Sequence, residues 1–187
     1  MLLKDCTQIY TLGPQGTFSD EATQKVLKTG VRVTYTGTFS EALGKVTEDV
    51  GSAAVVPVEN SVAGTVAQVQ DSLVRNDLII LGEINLLIEY SLLANAKLDQ
   101  IEVCFAHPQA LEQSSEFITN NLGKAQNHFT RSNVDSGIRF LEAVDSGNKP
   151  VAAIVPATFA QENSKWRKAS FFQAEDGIRD LYVTGVQ

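Results

Sequence analysis

Short apolar runs alternate with stretches of helical periodicity along most of the chain. Gln8–Leu12 is a short β-rich run, and Gly13-Pro14-Gln15-Gly16 is a turn. Ser19-Asp20-Glu21 then opens a helix to about Lys28, with acids in its first turn. Val31–Tyr35 alternates apolar and polar like a strand. Thr38 and Glu41 have capping-box spacing ahead of a helix to about Asp49. Ser52–Val58 reads as a buried strand, and Thr65 as the cap of a helix carrying Val66, Val69 and Leu73. Leu78–Ala94 holds extended apolar segments split near Gly82-Glu83 and Glu89-Tyr90.

The second half repeats the theme. Glu102–Ala106 is a strand, and Pro108 fits the first turn of a helix to about Asn121. Ala125–Thr130 is a weaker strand. Asn133 caps a helix with Val134, Ile138, Leu141 and Val144 on one stripe. Val151–Val155 is a buried strand, and Pro156–Gln161 starts a helix. Strands alternating with helices predict an α/β fold with a mostly parallel sheet, and Leu78–Ala94 is the natural crossover between two lobes.

The 187 residues suffice for one sizeable domain or two small lobes. A net charge of −7 argues against non-specific nucleic-acid binding, which needs clustered Lys and Arg. The two cysteines, Cys6 and Cys104, lack CxxC spacing and read as buried reduced thiols, and no zinc site is expected. No apolar run reaches spanning length, and no signal-peptide core precedes Lys4-Asp5, so the expected setting is cytoplasmic, with no membrane partner.

The strand-to-helix junctions are repeatedly polar: Gly13–Ser19, Glu59-Asn60-Ser61 with Gly64-Thr65, His107-Pro108-Gln109, and Arg131-Ser132-Asn133. In open α/β sheets ligands bind at such junctions, where unpartnered helix amides attract anions. Each of Ser19, Thr65 and Asn133 taken alone reads as a plain N-cap. His107 reads as structural, Gln109 as a solvated first-turn residue, and Arg131 as a surface charge. Glu59, straight after an apolar strand, either faces water at the sheet edge or does chemistry, and spacing leaves both open.

Four stretches together resemble the prephenate dehydratase domain: Gly13–Ala22 (GPQGTFSDEA), Val56–Val66 (VPVENSVAGTV), Leu81–Ala94 (LGEINLLIEYSLLA) and His107–Gln113 (HPQALEQ). The resemblance runs from about Gln8 to Gln161, in order and in spacing. It implies two α/β lobes like type II periplasmic binding proteins, with the site in the cleft between them. The domain would span 1–187, with lobe one about 1–84 plus any returning C-terminal segment, lobe two about 85–165, and 166–187 an atypical tail. The implied reaction converts prephenate to phenylpyruvate in phenylalanine biosynthesis, without metal or organic cofactor. The intact family member is expected to be a homo-oligomer, dimer or tetramer.

The same resemblance implies catalytic roles for Glu59, Asn60 and Gln109. It implies substrate contacts for Thr17, Ser19, Ser61, Thr65, Ser132 and Asn133, the last standing where the family often has Thr. The chemistry suits them, because the leaving hydroxide needs a proton or hydrogen-bond donor and the substrate must be oriented. Glu59 would donate a proton only if burial raised its pKa.

One family feature is not recognisable: the returning strand with Thr-Arg-Phe, whose Thr assists hydroxide loss. After Gln161 the only Thr is Thr184, and Phe171–Asp180 (FFQAEDGIRD) resembles translated sequencing-adapter read-through. The native C-terminus is therefore expected to be missing, with activity weak or absent and a sheet edge left open. No regulatory ACT segment is recognisable. The competing readings are a non-aromatising prephenate decarboxylase and a non-catalytic module that binds small carboxylates.

Overall fold

The computed structural model describes residues 6–60, 64–147, 149–172 and 178–185, with the backbone path alone from 170 onward. Contacts divide the chain into two units, Met1–Leu87 with Ala174–Gln187, and Ile88–Gln173.

The first unit runs β1 (Gln8–Leu12), α1 (Phe18–Val26), β2 (Arg32–Thr36), α2 (Phe39–Glu48), β3 (Ser52–Asn60), β4 (Gly64–Thr65), α3 (Ala67–Arg75) and β5 (Leu78–Leu86). The second runs β6 (Glu89–Ala94), β7 (Val103–Ala106), α4 (Pro108–Gln113), α5 (Ser115–Leu122), β8 (Gln126–Phe129), α6 (Asn133–Asp145), β9 (Val151–Pro156), α7 (Ala157–Glu162) and β10 (Arg167–Phe172). The chain then adds β11 (Ile178–Gly185) to the first unit.

In the first unit the sheet order is β2-β1-β3-β11-β5, with β4 paired to β3. The strands β2, β1 and β3 are parallel, in the register Ile9↔Val33 and Ile9↔Ala53. β3 is interior, which is why its sequence is nearly continuous Ala and Val. Ala42, Leu43 and Val46 of α2 and Val69 of α3 pack on Ala54 and Val56 of β3. Each such Leu or Val side chain, fully removed from water, contributes about 1.5–3 kcal/mol. Thr38 caps α2 by accepting the Glu41 amide at 3.1 Å, while the Glu41 carboxylate accepts the Gly37 amide at 2.9 Å.

In the second unit the order is β10-β6-β9-β7-β8. Phe140 of α6 and Ala160 of α7 pack on Leu93, Val151, Ala153 and Val155, and the Trp166 ring meets Phe140 edge-on.

The chain has the α/β architecture expected, but both sheets are mixed. β9, β7 and β8 are parallel like β2, β1 and β3, while β6 and β10 pair antiparallel, as does β11 on both of its sides. A strand that returns to fill a gap beside a neighbour can run either way, so helix–strand alternation did not constrain it. The sheet edge expected to open with loss of a returning strand is filled: β11 returns between β3 and β5, with Ile178 opposite both Asn60 and Leu86.

Other boundaries moved for local reasons. Leu78–Ala94 breaks once, at Leu87-Ile88, because Gly82 and Glu83 continue inside β5. The helix from Pro108 breaks at Ser114 (φ −107°, ψ 12°), where α4 ends and α5 begins. Cys6 and Cys104 are buried and not joined to each other. No helix among the described residues is long and apolar enough to cross a membrane.

Candidate functional site

In the first unit the Gly13–Gly16 turn is tied down by Asp20 of α1, which Tyr35 of β2 and Gln24 of α1 hold in place. Gly16 has φ +84°, a left-handed conformation that favours glycine. Its amide donates to Asp20 Oδ2 at 2.8 Å, and Tyr35 Oη and Gln24 Nε2 donate to Asp20 Oδ1 at 2.7 and 3.1 Å. Thr17, not Ser19, caps α1: its Oγ1 accepts the Asp20 amide at 3.4 Å and donates to the Pro14 carbonyl at 3.0 Å. The Thr17 hydroxyl is thus already used in both directions. The Ser19 carbonyl accepts from Thr23 Oγ1 at 2.7 Å.

The tip of β3 is shaped by a bulge. Along β11 the partners step from Arg179↔Glu59 to Asp180↔Pro57, leaving Val58 as the extra residue. Such bulges bend a strand and re-aim the side chains that follow. Glu59 is half-buried and Asn60 is 4% exposed. Ser61 lies outside the described residues. The chain folds straight back, pairing Glu59 with Thr65 and Asn60 with Gly64, and the Val66 amide bonds the Val58 carbonyl at 3.0 Å.

Thr65 is therefore not a helix cap. It is an exposed strand residue, and Val66 stands at the N-cap of α3 with no side-chain cap bond. The pairing with Glu59 takes the backbone into a hairpin before the helix begins, which a capping pattern read from sequence does not register.

In the second unit His107 caps α4, its Nδ1 accepting the Gln109 amide at 3.4 Å, with Pro108 in the first turn. Burial pushes the His107 imidazole below its ordinary pKa, which keeps Nδ1 an acceptor. Gln109 is half-buried. At α6 the cap is Ser132, whose Oγ accepts the Asp135 amide at 3.0 Å, so Asn133 is the first helical residue rather than the cap. Asp135 Oδ2 accepts the Arg131 amide at 3.0 Å and pairs with Arg139 Nε at 3.1 Å. These bonds hold its carboxyl below the usual carboxylate range, against the opposing effect of burial.

Both α1 and α6 thus carry an internal acid, Asp20 or Asp135, beside the amides that an anion would otherwise meet. A side chain the junction pattern missed joins the group: Tyr90 on β6 donates to Gln113 Oε1 at 2.8 Å. Gln113 closes the HPQALEQ stretch, and Tyr90 is a polar-tipped aromatic inside an apolar run; those were the available signals. Thr17, Ser19, Glu59, Asn60 and Thr65 belong to the first unit, and Gln109, Ser132 and Asn133 to the second. Among the described residues no group of three or more His, Cys, Asp or Glu is placed to hold a metal.

A sequence model of the prephenate dehydratase family matches residues 9–165. The prephenate dehydratase of Methanocaldococcus jannaschii is 38% identical over 114 residues, covering 59% of this chain and 40% of that protein. The crystal structure of the prephenate dehydratase of Staphylococcus aureus superposes with a TM-score of 0.75 at 25% identity, covering 96% of this chain and 67% of that one. An ancestral cationic amino acid solute-binding protein shares the fold at a TM-score of 0.52 and 11% identity, covering 98% of this chain and 83% of that one. The chain spans between 29% and 40% of the length of the first curated relatives it matches.

Proposed function

The chain belongs to the prephenate dehydratase family, and we propose that it is a cytoplasmic lyase of phenylalanine biosynthesis that takes prephenate as its substrate. The reaction breaks the ring C–O bond as the hydroxyl is protonated to water. It also breaks the bond to the ring carboxylate, which leaves as carbon dioxide while its electron pair completes the aromatic ring of phenylpyruvate.

The observation that carries this reading is the β3 tip. A buried strand delivers half-buried Glu59 and buried Asn60 through a bulge, within the Val56–Val66 motif. Neutral donors such as Asn60 and Gln109 suit the orientation of a dianion, and Glu59 would act as proton donor or orienter. Ser132 keeps its hydroxyl proton available while its oxygen serves α6, so it can cap the helix and donate to a carboxylate at once. Thr17, Ser19, Ser61, Thr65 and Asn133 complete the proposed contacts.

The backbone register of β11 sharpens the test. Ile178 stands opposite Asn60 and Arg179 opposite Glu59. A Thr-Arg-Phe segment on this strand would put its Thr at 178 and its Arg at 179. The purified chain is incubated with prephenate and phenylpyruvate is followed by absorbance. The chain as it stands is expected to turn over weakly or not at all, and the exchange Ile178→Thr with Asp180→Phe to raise turnover. A dihydro product would favour the decarboxylase, and ligand binding without turnover in both proteins would favour a binding module.

A further inference from the structure

Within the second unit, the short 3-10 turn Leu98–Gln100 and the C-terminal end of α5 border an open cavity of about 240 Å³. At about 30 Å³ per water it has room for roughly eight waters, or for one small metabolite. Its floor is apolar: Ile101 and Leu122 are 3% and 2% exposed, and Leu98 is half-buried. Its rim is polar. Asp99, Asn120 and Lys124 are exposed there, and none of their side chains makes a hydrogen bond or ion pair among the described residues. Opposite charges that share a cavity without pairing leave space between them for a ligand that carries both. The last carbonyls of a helix have no partner within it. At α1, α2 and α3 the C-cap amide reaches back to one of them, whereas the Gly123 amide at the end of α5 makes no such bond. Gly123 also leaves that end uncovered, since a Cβ there would lie 2.9 Å from the Thr119 carbonyl oxygen. The end of α5 therefore presents carbonyl oxygens and the negative pole of its dipole beside the cavity.

We propose that this cavity binds a small apolar α-amino acid as its zwitterion. The ammonium group donates to the Asp99 carboxylate and to the carbonyl end of α5. The carboxylate meets the Lys124 ammonium and the Asn120 side-chain amide. The apolar side chain lies over Leu98, with Ile101 and Leu122 beneath. A metal ion suits the cavity less. It offers one carboxylate, where calcium takes about six to eight oxygen ligands, and Lys124 opposes a second positive charge. A neutral or singly charged ligand would leave Asp99 or Lys124 unanswered. None of these residues belongs to the proposed prephenate contacts, so the inference stands apart from that reading.

The test is a nuclear magnetic resonance titration of the isotope-labelled full chain with three probes. These are L-leucine, L-leucinamide, which lacks the carboxylate, and isocaproate, which lacks the ammonium. L-Leucine is expected to shift the amides of Asp99, Gly123 and Lys124. It should bind about tenfold more tightly than either analogue, the scale of one charge-assisted hydrogen bond. Asp99→Asn is expected to weaken leucine binding about tenfold and to leave isocaproate within about twofold. Lys124→Gln is expected to weaken leucine binding to a similar degree and to leave leucinamide unchanged. Both side chains are exposed, and the same spectra show whether each variant keeps the native fold. No shift at millimolar leucine would overturn the proposal. So would shifts elsewhere in the chain that survive both substitutions, or equal affinity for all three probes.

Discussion

The Tyr35 hydroxyl donates a 2.7 Å hydrogen bond to Asp20 Oδ1, while Asp20 Oδ2 accepts the Gly16 amide at 2.8 Å. One buried carboxylate thereby ties strand β2 to the turn ahead of α1. Asp20→Asn replaces an acceptor oxygen by a donor and leaves one of these partners unmet. It is expected to lower stability by about 1–3 kcal/mol, and Tyr35→Phe by about 1 kcal/mol, in urea denaturation. The pair share one network, so the double variant should lose less than the two losses added.

The same contact sets an alkaline limit. Burial, reinforced by Asp20, pushes the Tyr35 phenol up to about 12. A raised pKa favours the neutral form, so its contribution is fully present below the ordinary tyrosine value of about 10 and is lost as pH rises through about 12. Tyr35→Phe should therefore show a smaller fall in stability over that window. An equal fall in both proteins would show that other groups govern it.

Ser132 serves α6 as its cap, independently of any ligand. Ser132→Ala is expected to cost about 1 kcal/mol in thermal or urea melts. Ser132→Asp keeps the capping acceptor but adds a negative charge, so it should retain most of the stability while weakening prephenate binding. Loss of stability without loss of binding would confine Ser132 to capping.

Gly137 lies on α6 with the Phe159 ring against it, where an added Cβ would collide with that ring. Gly137→Ala gains helix propensity but must displace a packed aromatic. It is expected to be destabilising by about 1–3 kcal/mol, and Phe159→Leu should recover part of the loss. A stabilised Gly137→Ala protein would mean that the ring moves freely.

Burial alone pushes the Cys104 thiol up to about 12, and burial is also the main cause of the raised Cys6 thiol. The thiolate is the reactive form, so both should resist an aromatic disulfide reagent in the native protein and react at once in denaturant. Fast labelling of Cys104 in native buffer would contradict the packing of β7.

Much of the fold was legible because it is local. The capping box at Thr38 and Glu41, the uninterrupted apolar Ser52–Val58 run and the first-turn Pro108 each act over a few residues, and all hold in the structure. Asn133 stands one position inside the helix it is expected to cap, because Ser132 and Asn133 are both good caps and only the backbone decides which precedes the first helical turn. Thr65 pairs with Glu59 across a hairpin instead of capping α3, a relation outside the reach of a capping pattern.

The sequence by itself determined the succession of helices and strands, the buried character of β3 and the polar junctions, since periodicity and capping are properties of neighbouring residues. Tertiary structure alone decided that the sheets are mixed, that β11 lies between β3 and β5, that a bulge at Val58 precedes Glu59, and that Tyr90 meets Gln113. Those relations join residues tens of positions apart, and their geometry is set by packing and by the need of buried polar groups for partners, which no local pattern encodes.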